Sequence, residues 1–276
     1  MERLFKWFAY LLPAVSMITT AGAAPATRVT FESGGLILVG YLYQPEGSGP
    51  WPALIWNHGS EKNPSAGPQF EAIASAFVPA GYLVFAPVRR GHGESEGDYV
   101  VDRLKFTIQQ LGKDEANRLT VRLLETEQLA DQLAALAYVK QLPFVDSQRI
   151  VVAGCSYGGI ETLLGAESGA GYKAAISISP AAMSWEGNEY LRSRLVKAVS
   201  RINIPTLLIQ PPKDPSLGPS QVLGAAAARA GKPLTAKVYP ATGPEKEQGH
   251  CFGGASGMHV WADDAKAFFE ANLSSP

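Results

Sequence analysis

A chain of 276 residues with 46% apolar and 18% charged side chains can bury one sizeable core and is too apolar to be disordered. Lysine and arginine number 24 against 25 acids, for a formal net charge of −1 with no basic run, which argues against nucleic acid as the main partner. Two cysteines exclude a disulfide scaffold, and no zinc-type spacing is present.

The first 23 residues stand apart. "MERLFK" is a short basic start, "WFAYLLPAVSMITTA" is apolar, and Ala21-Gly22-Ala23 fits an A-x-A cleavage site. The apolar stretch contains Pro13 and turns polar at Thr19 and Thr20, so it falls short of the roughly 20 residues a spanning helix needs. Residues 1–23 therefore read as a secretory signal peptide, with an uncleaved membrane anchor as the alternative. The mature chain, residues 24–276, reads as one domain exported to a bacterial periplasm or the medium. No stable membrane insertion is expected once the signal is cleaved.

From there, apolar runs alternate with helical patterns. "RVTFES" and "LILVGYLYQP" flank Gly34-Gly35 as an antiparallel hairpin. "PALIWNHG" is a buried strand, followed by a loop and a helix near "FEAIASAFVPAGY". "LVFAPVRRGHGESEG" is a strand running into a glycine-rich loop. A polar helical stretch over 98–120 precedes a better helix, whose Leu129, Leu133 and Leu136 share a face that leaves Glu127, Asp131 and Gln132 outside. "RIVVAGCS", "AAISISP", "PTLLIQPP" and "AKVYPA" are further strands. They are separated by helices over "YGGIETLLGAES", "SWEGNEYLRSRLVKAVS" and "SQVLGAAAARAG", and "WADDAKAFFEANL" closes the chain. The pattern predicts an α/β fold: about eight strands in a mainly parallel twisted sheet, an N-terminal antiparallel hairpin, and helices on both faces.

Such sheets place chemistry at the carboxyl ends of their strands. After "RIVVAG" comes Ser156, in "GCSYGG", between a strand and an amphipathic helix; this is the context that makes G-x-S-x-G a nucleophile elbow. Asp214 follows "PTLLIQ", and His250 follows "AKVYPA" within "EQGHCFGG". A serine hydroxyl needs an imidazole to take its proton, and the imidazole needs a carboxylate to orient it. The oxyanion formed on attack needs preorganised donors. The backbone N–H of Tyr157, at a helix start, is one candidate, and that of Ser60, just after "NHG", is the other. His259 is the rival base, but its place at a helix start reads as capping or packing.

The order Ser156, Asp214, His250 is that of α/β-hydrolases. With "NHGS", "RRGHGESEG", "GCSYGG", "KDPS" and "GHCFGG…W" in register, the chain resembles that superfamily over nearly all of its mature length. Within it, the chain is most similar to the dienelactone hydrolase-like and prolyl oligopeptidase-type hydrolases. Dienelactone hydrolases proper carry a cysteine nucleophile, where this chain has Ser156. The resemblance therefore implies a serine esterase with no metal or organic cofactor and a small-molecule ester as partner. An amide-cleaving hydrolase with the same triad is the alternative, and a non-catalytic binding protein on this fold is a third reading.

Other residues near these blocks are pocket candidates: His58, which shapes the turn after its strand and has no proton-transfer role, Arg90 and His92 in the glycine-rich loop, and Trp185, Tyr157 and Phe252 as walls. Glu94 is a candidate partner for Arg89 or Arg90. The 99–117 stretch is the candidate rim, and the short insertion before "PTLLIQ" leaves no room for a large cap, which suggests short acyl chains. Cys155 and Cys251 adjoin Ser156 and His250 and should lie in one neighbourhood. They read as two small buried side chains, since elbow geometry seldom meets a disulfide's Cα spacing of about 5.5–6 Å, with an active-site disulfide in an oxidising compartment as the alternative.

Overall fold

The structure, a computed structural model, describes residues 25–64 and 67–274, so the signal peptide expected over 1–23 lies outside the described residues. β1 (Thr27–Ser33) and β2 (Leu36–Tyr43) form the expected antiparallel hairpin, with Ser33 opposite Leu36. Its two-residue turn holds Gly34 at φ 57° and Gly35 at φ 79°. Left-handed backbone at both positions suits the twist of a tight hairpin, and glycine adopts it without a Cβ clash.

The other strands are β3 (Trp51–Asn57), β4 (Leu83–Pro87), β5 (Val145–Cys155), β6 (Ala175–Ile178), β7 (Thr206–Gln210) and β8 (Leu234–Val238). They join the hairpin in one eight-stranded sheet, ordered β1-β2-β4-β3-β5-β6-β7-β8. β2 meets β4 antiparallel, and every pair from β4 to β8 is parallel. The α/β-hydrolase architecture expected from the sequence is thus the one observed.

One core lies on each face of the sheet, as strands apolar on both sides require. On one face Phe70 and Ile73 of α1 (Pro68–Phe77) and Trp261 and Phe269 of α7 (Met258–Leu273) pack on Leu54, Val84 and Ile176. On the other face the core takes Leu136 and Val139 of α3 (Leu129–Lys140) and Leu163 and Leu164 of α4 (Tyr157–Glu167). Leu191 and Leu195 of α5 (Glu189–Val199) and Ala227 of α6 (Gly224–Arg229) complete it.

The polar stretch is α2 (Val100–Leu123), broken at Gly112 by φ 86° and ψ 171°. Val100 packs with Leu119 and Leu123, residues that a straight helix would carry about 30 Å away. The chain therefore folds back at Gly112 into a helical hairpin, a conformation open to glycine for want of a Cβ.

The buried face of α3 differs from the leucine face expected. A π-helical turn over Leu124–Gln128 precedes it, and Gln128, Asp131, Gln132, Ala135 and Val139 point inward; of the expected leucines Leu136 is buried, while Leu129 and Leu133 are only half-buried. The Arg90 guanidinium meets Asp131 at 2.6 and 2.9 Å, and the Ser33 hydroxyl donates to the same carboxylate at 2.7 Å. A buried carboxylate supplied with donors on this scale is stabilised, and that places a polar side chain where hydropathy expects leucine.

Candidate active site

Three strand ends converge. Ser156 caps the N-terminus of α4 directly after β5, at φ 59° and ψ −117°. A left-handed serine costs on the order of 1–3 kcal/mol, which the packing around it must offset. The flanking glycines make that packing possible: a Cβ on Gly158 would lie 2.0 Å from the Asn57 carbonyl oxygen, and one on Gly154 would lie 2.6 Å from the Gly158 carbonyl oxygen. The Ser156 N–H donates to the Ile178 carbonyl at 2.9 Å, tying the turn to β6.

His250 follows the long loop after β8. Its Nε2 lies 2.9 Å from Ser156 Oγ, and its Nδ1 lies 2.6 Å from Asp214 Oδ1. Asp214, buried in the turn after β7, accepts a second bond at Oδ2 from Gln210 Nε2 at 2.7 Å. With Asp214 accepting at Nδ1, that nitrogen carries the hydrogen and Nε2 is left free to accept from the serine hydroxyl. The residues expected at three separate strand ends are thus in one hydrogen-bonded line. His259 is remote from it: it is exposed, with Nε2 3.3 Å from Glu247 and Nδ1 3.1 Å from the Ser256 carbonyl.

Ser156 opens on a cleft of about 460 Å³ bounded by Ser60, Tyr157, the α2 hairpin (Val100, Val101, Leu104) and the α5 side (Met183, Leu191). Ser60 and Tyr157, the expected donors, line the same cleft as the serine. The Tyr99 hydroxyl donates to the Ser60 carbonyl at 2.6 Å and pins that loop. The 99–117 stretch does form the rim.

The other pocket candidates lie elsewhere. Trp185 is 4% exposed, its indole drawn against Gly218 in the core, and the same turn puts Met183 outward instead. Phe252 is fully buried because left-handed backbone turns its ring inward, edge-on to Tyr239 at 5.2 Å. Arg90 is committed to Asp131, and Glu94, its expected partner, pairs with Arg28 at 2.8 Å. His58 and His92 are both fully buried, edge to face at 4.9 Å. His58 Nε2 accepts from the Arg89 N–H at 3.1 Å. Burial, reinforced by the Arg89 charge, holds the His58 pKa well below the usual histidine range and pushes His92 down to about 4. Both rings are neutral at pH 7 and serve as internal props.

Cys155 and Cys251, expected to be two small buried side chains, form a disulfide instead, with their Cα atoms 6.0 Å apart. Convergence of the nucleophile strand and the histidine loop brings the backbones to that spacing, which local elbow geometry does not reveal.

Gln210 escaped the sequence reading, and Arg89, which the sequence offers as a partner for Glu94, pairs with a different acid. Gln210 ends β7 and bridges Asp214, the Ser216 carbonyl and the Ser220 N–H. Its signal was a polar residue closing an otherwise apolar strand. Arg89 is 3% exposed: it pairs with Glu161 at 3.1 Å, donates to the carbonyls of His58 and Gly59, and lies 5.0 Å from the Tyr157 ring centroid. Burial outweighs the pull of Arg89 on Glu161, whose pKa is pushed up to about 8.

Among the described residues no cluster of three or more His, Cys, Asp or Glu could hold a metal ion, and no helix is long and apolar enough to cross a membrane.

The family described as X-Pro dipeptidyl-peptidase (S15 family) matches residues 34–248. The quorum-quenching protein AidA of Acinetobacter baumannii is 29% identical over 152 residues, which is 55% of this chain and 43% of that relative, so the match spans less than half the relative's length. An esterase of Pyrococcus furiosus superposes with a TM-score of 0.67 at 17% identity, covering 90% of this chain and 93% of its own. The acylaminoacyl peptidase of Pyrococcus horikoshii superposes with a TM-score of 0.68 at 18% identity, covering 93% of this chain and 43% of its own. At such identities the structural likeness speaks for the fold alone.

Proposed function

This chain belongs to the X-Pro dipeptidyl-peptidase (S15) family, and on that premise we propose that it is an exported serine esterase for small or short-chain acyl groups. Hydrolase chemistry comes with the family and its serine-hydrolase relatives; the choice of ester over peptide is the proposal. The observation that carries it is the Ser156–His250–Asp214 line opening on a cleft with no carboxylate among its described lining residues. A peptidase that removes dipeptides from an N-terminus must hold a free ammonium near the scissile bond, and a buried or half-buried ammonium calls for a carboxylate. The only charged lining residue among those described is Lys113, which would repel it. Neutral or anionic acyl esters meet no such barrier.

In the proposed reaction, Ser156 Oγ attacks the ester carbonyl while His250 Nε2 takes the hydroxyl proton. Asp214 stabilises the resulting imidazolium. The Tyr157 and Ser60 N–H groups receive the oxyanion, where each donor is worth about 2.7–4 kcal/mol of barrier. His250 returns the proton to the departing alcohol, and water then cleaves the acyl-enzyme by the same route. No cofactor takes part.

A series of nitrophenyl esters from acetate to palmitate, run beside X-Pro nitroanilides, tests the substrate class. Turnover is expected to peak at the short-chain end of the series. A peak at long chains contradicts the size argument, and a higher kcat/KM for X-Pro anilides than for any ester overturns the ester reading.

Export is supported by the disulfide, since such bonds persist in oxidising compartments. N-terminal sequencing of the protein recovered from periplasm or medium should begin at Ala24. Recovery of the intact N-terminus from the cytosol would contradict it.

A further inference from the structure

Cys155 is the residue before Ser156, and Cys251 is the residue after His250. The bond between them spans 96 positions of sequence yet lands one residue from each of the two groups that must exchange a proton. We propose that the Cys155–Cys251 disulfide is a positioning element of the site, holding the His250 imidazole within reach of Ser156; the proposal rests on the serine-esterase reading above.

The two sides of the bond are unequal. Cys155 is the buried last residue of β5, paired in register with Ile178, so the nucleophile side is fixed by the sheet. The histidine side follows the edge strand β8 and a long loop, and no strand holds it. Cys251, Phe252, Gly253 and Gly254 run consecutively at φ 54°, 55°, 68° and 71°. Two non-glycine residues in the left-handed region, one after the other, form a conformation that L-residues avoid unless something external holds it. The non-covalent ties include the 2.8 Å bond from the Lys213 N–H to the Gln248 carbonyl, the 2.9 Å bond from the Phe252 N–H to the Gly249 carbonyl, the long 3.3 Å bond from the Cys251 N–H to Ser179 Oγ, the burial of Phe252, and the bonds of His250 to Asp214 and Ser156. Phe252 anchors the far side of the turn and Asp214 holds the ring. The disulfide is the covalent tie that runs from the His250 turn to the last residue of the nucleophile strand.

Its position also separates this role from simple stabilisation. A cross-link closing a loop of this length would restrict the unfolded chain equally well anywhere along these two segments. Placing it beside both reacting side chains adds control over their separation, and misplacement of a catalytic group by about 1 Å can cost on the order of 100-fold in rate.

The test compares oxidised protein, protein reduced with dithiothreitol, and the double variant Cys155→Ala/Cys251→Ala, assayed with nitrophenyl butyrate well below the unfolding transition. Rates are normalised to the folded fraction from near-ultraviolet circular dichroism. Positioning predicts that kcat per folded molecule falls about 10- to 100-fold while KM stays within about twofold, since substrate contacts are untouched. Reoxidation with glutathione disulfide should restore kcat in the reduced wild type and do nothing for the double variant. An unchanged kcat per folded molecule, or a loss of activity that merely follows the folded fraction, overturns the proposal. A fluorophosphonate probe keeps the two readings apart. Oxidised wild type that neither labels at Ser156 nor turns over ester defeats the esterase reading; label at Ser156 with undiminished kcat in the reduced protein defeats the disulfide's role alone.

Discussion

Ser156→Ala should lower kcat for a short-chain nitrophenyl ester by a factor of about 10⁵ to 10⁶, with the circular dichroism spectrum and thermal transition of the wild type. The hydroxyl is the proposed nucleophile, and Oγ is the atom 2.9 Å from His250 Nε2, so its removal leaves the oxyanion donors and the cleft but no route to an acyl-enzyme. His250→Ala should fall comparably. The double variant should be little worse than either single one, because the groups act as a unit. His259→Ala should remain within about twofold of wild type, as expected for an exposed side chain whose recorded partners are Glu247 and the Ser256 carbonyl. More than a hundredth of normal turnover in Ser156→Ala would overturn the mechanism. A severe loss in His259→Ala would move the base.

Arg89→Met should be the most damaging substitution outside that line, costing at least about 3 kcal/mol of stability, since three buried acceptors lose their donor at about 1–3 kcal/mol each. It leaves the carbonyls of His58 and Gly59 and the Glu161 carboxyl without the guanidinium that now serves all three. Those carbonyls belong to the loop that presents the Ser60 N–H, and the same guanidinium stacks on the Tyr157 ring, so both proposed oxyanion donors lean on one buried cation. Activity of the folded variant should drop with it. Urea denaturation gives the stability change, and an unfolding free energy within about 0.5 kcal/mol of wild type would contradict the argument.

The wild-type protein should also show a pH signature of this pair. Burial raises the Glu161 pKa to about 8 in the folded chain, above its value when unfolded. The folded state then holds a proton that the unfolded state has already released, so this contribution to stability is full at low pH and is lost as pH rises toward 8. Glu161→Gln should flatten that slope.

Much of the architecture was legible because strands and helices have different periods. Runs such as "RIVVAG" and "PTLLIQ" are too short and too uniformly apolar for anything but strands buried on both faces. The chain order Ser156, Asp214, His250 was readable for the same reason: each residue follows such a run, where a parallel sheet collects its chemistry. Gly34-Gly35 was legible because only a tight turn needs two left-handed residues together.

What stayed hidden depends on side chains far apart in sequence. The π-helical turn at Leu124–Gln128 precedes α3, where Asp131 meets Arg90, 41 positions earlier, and hydropathy along one helix carries no trace of that partner. The pocket walls misled in the same way. Trp185 and Phe252 are large enough to line a cleft, but their apolar area is worth more buried, and the cleft is built from Val100, Val101, Leu104 and Leu191 instead. The amino-acid sequence by itself determined the elements, their order and the three residues set at the strand ends, because those follow from local periodicity and from where a parallel sheet must end. Only the tertiary structure decided that Cys155 and Cys251 are bonded and that Arg89 braces both sides of the cleft. Distance between segments distant in sequence is a property of packing, and no local pattern encodes it.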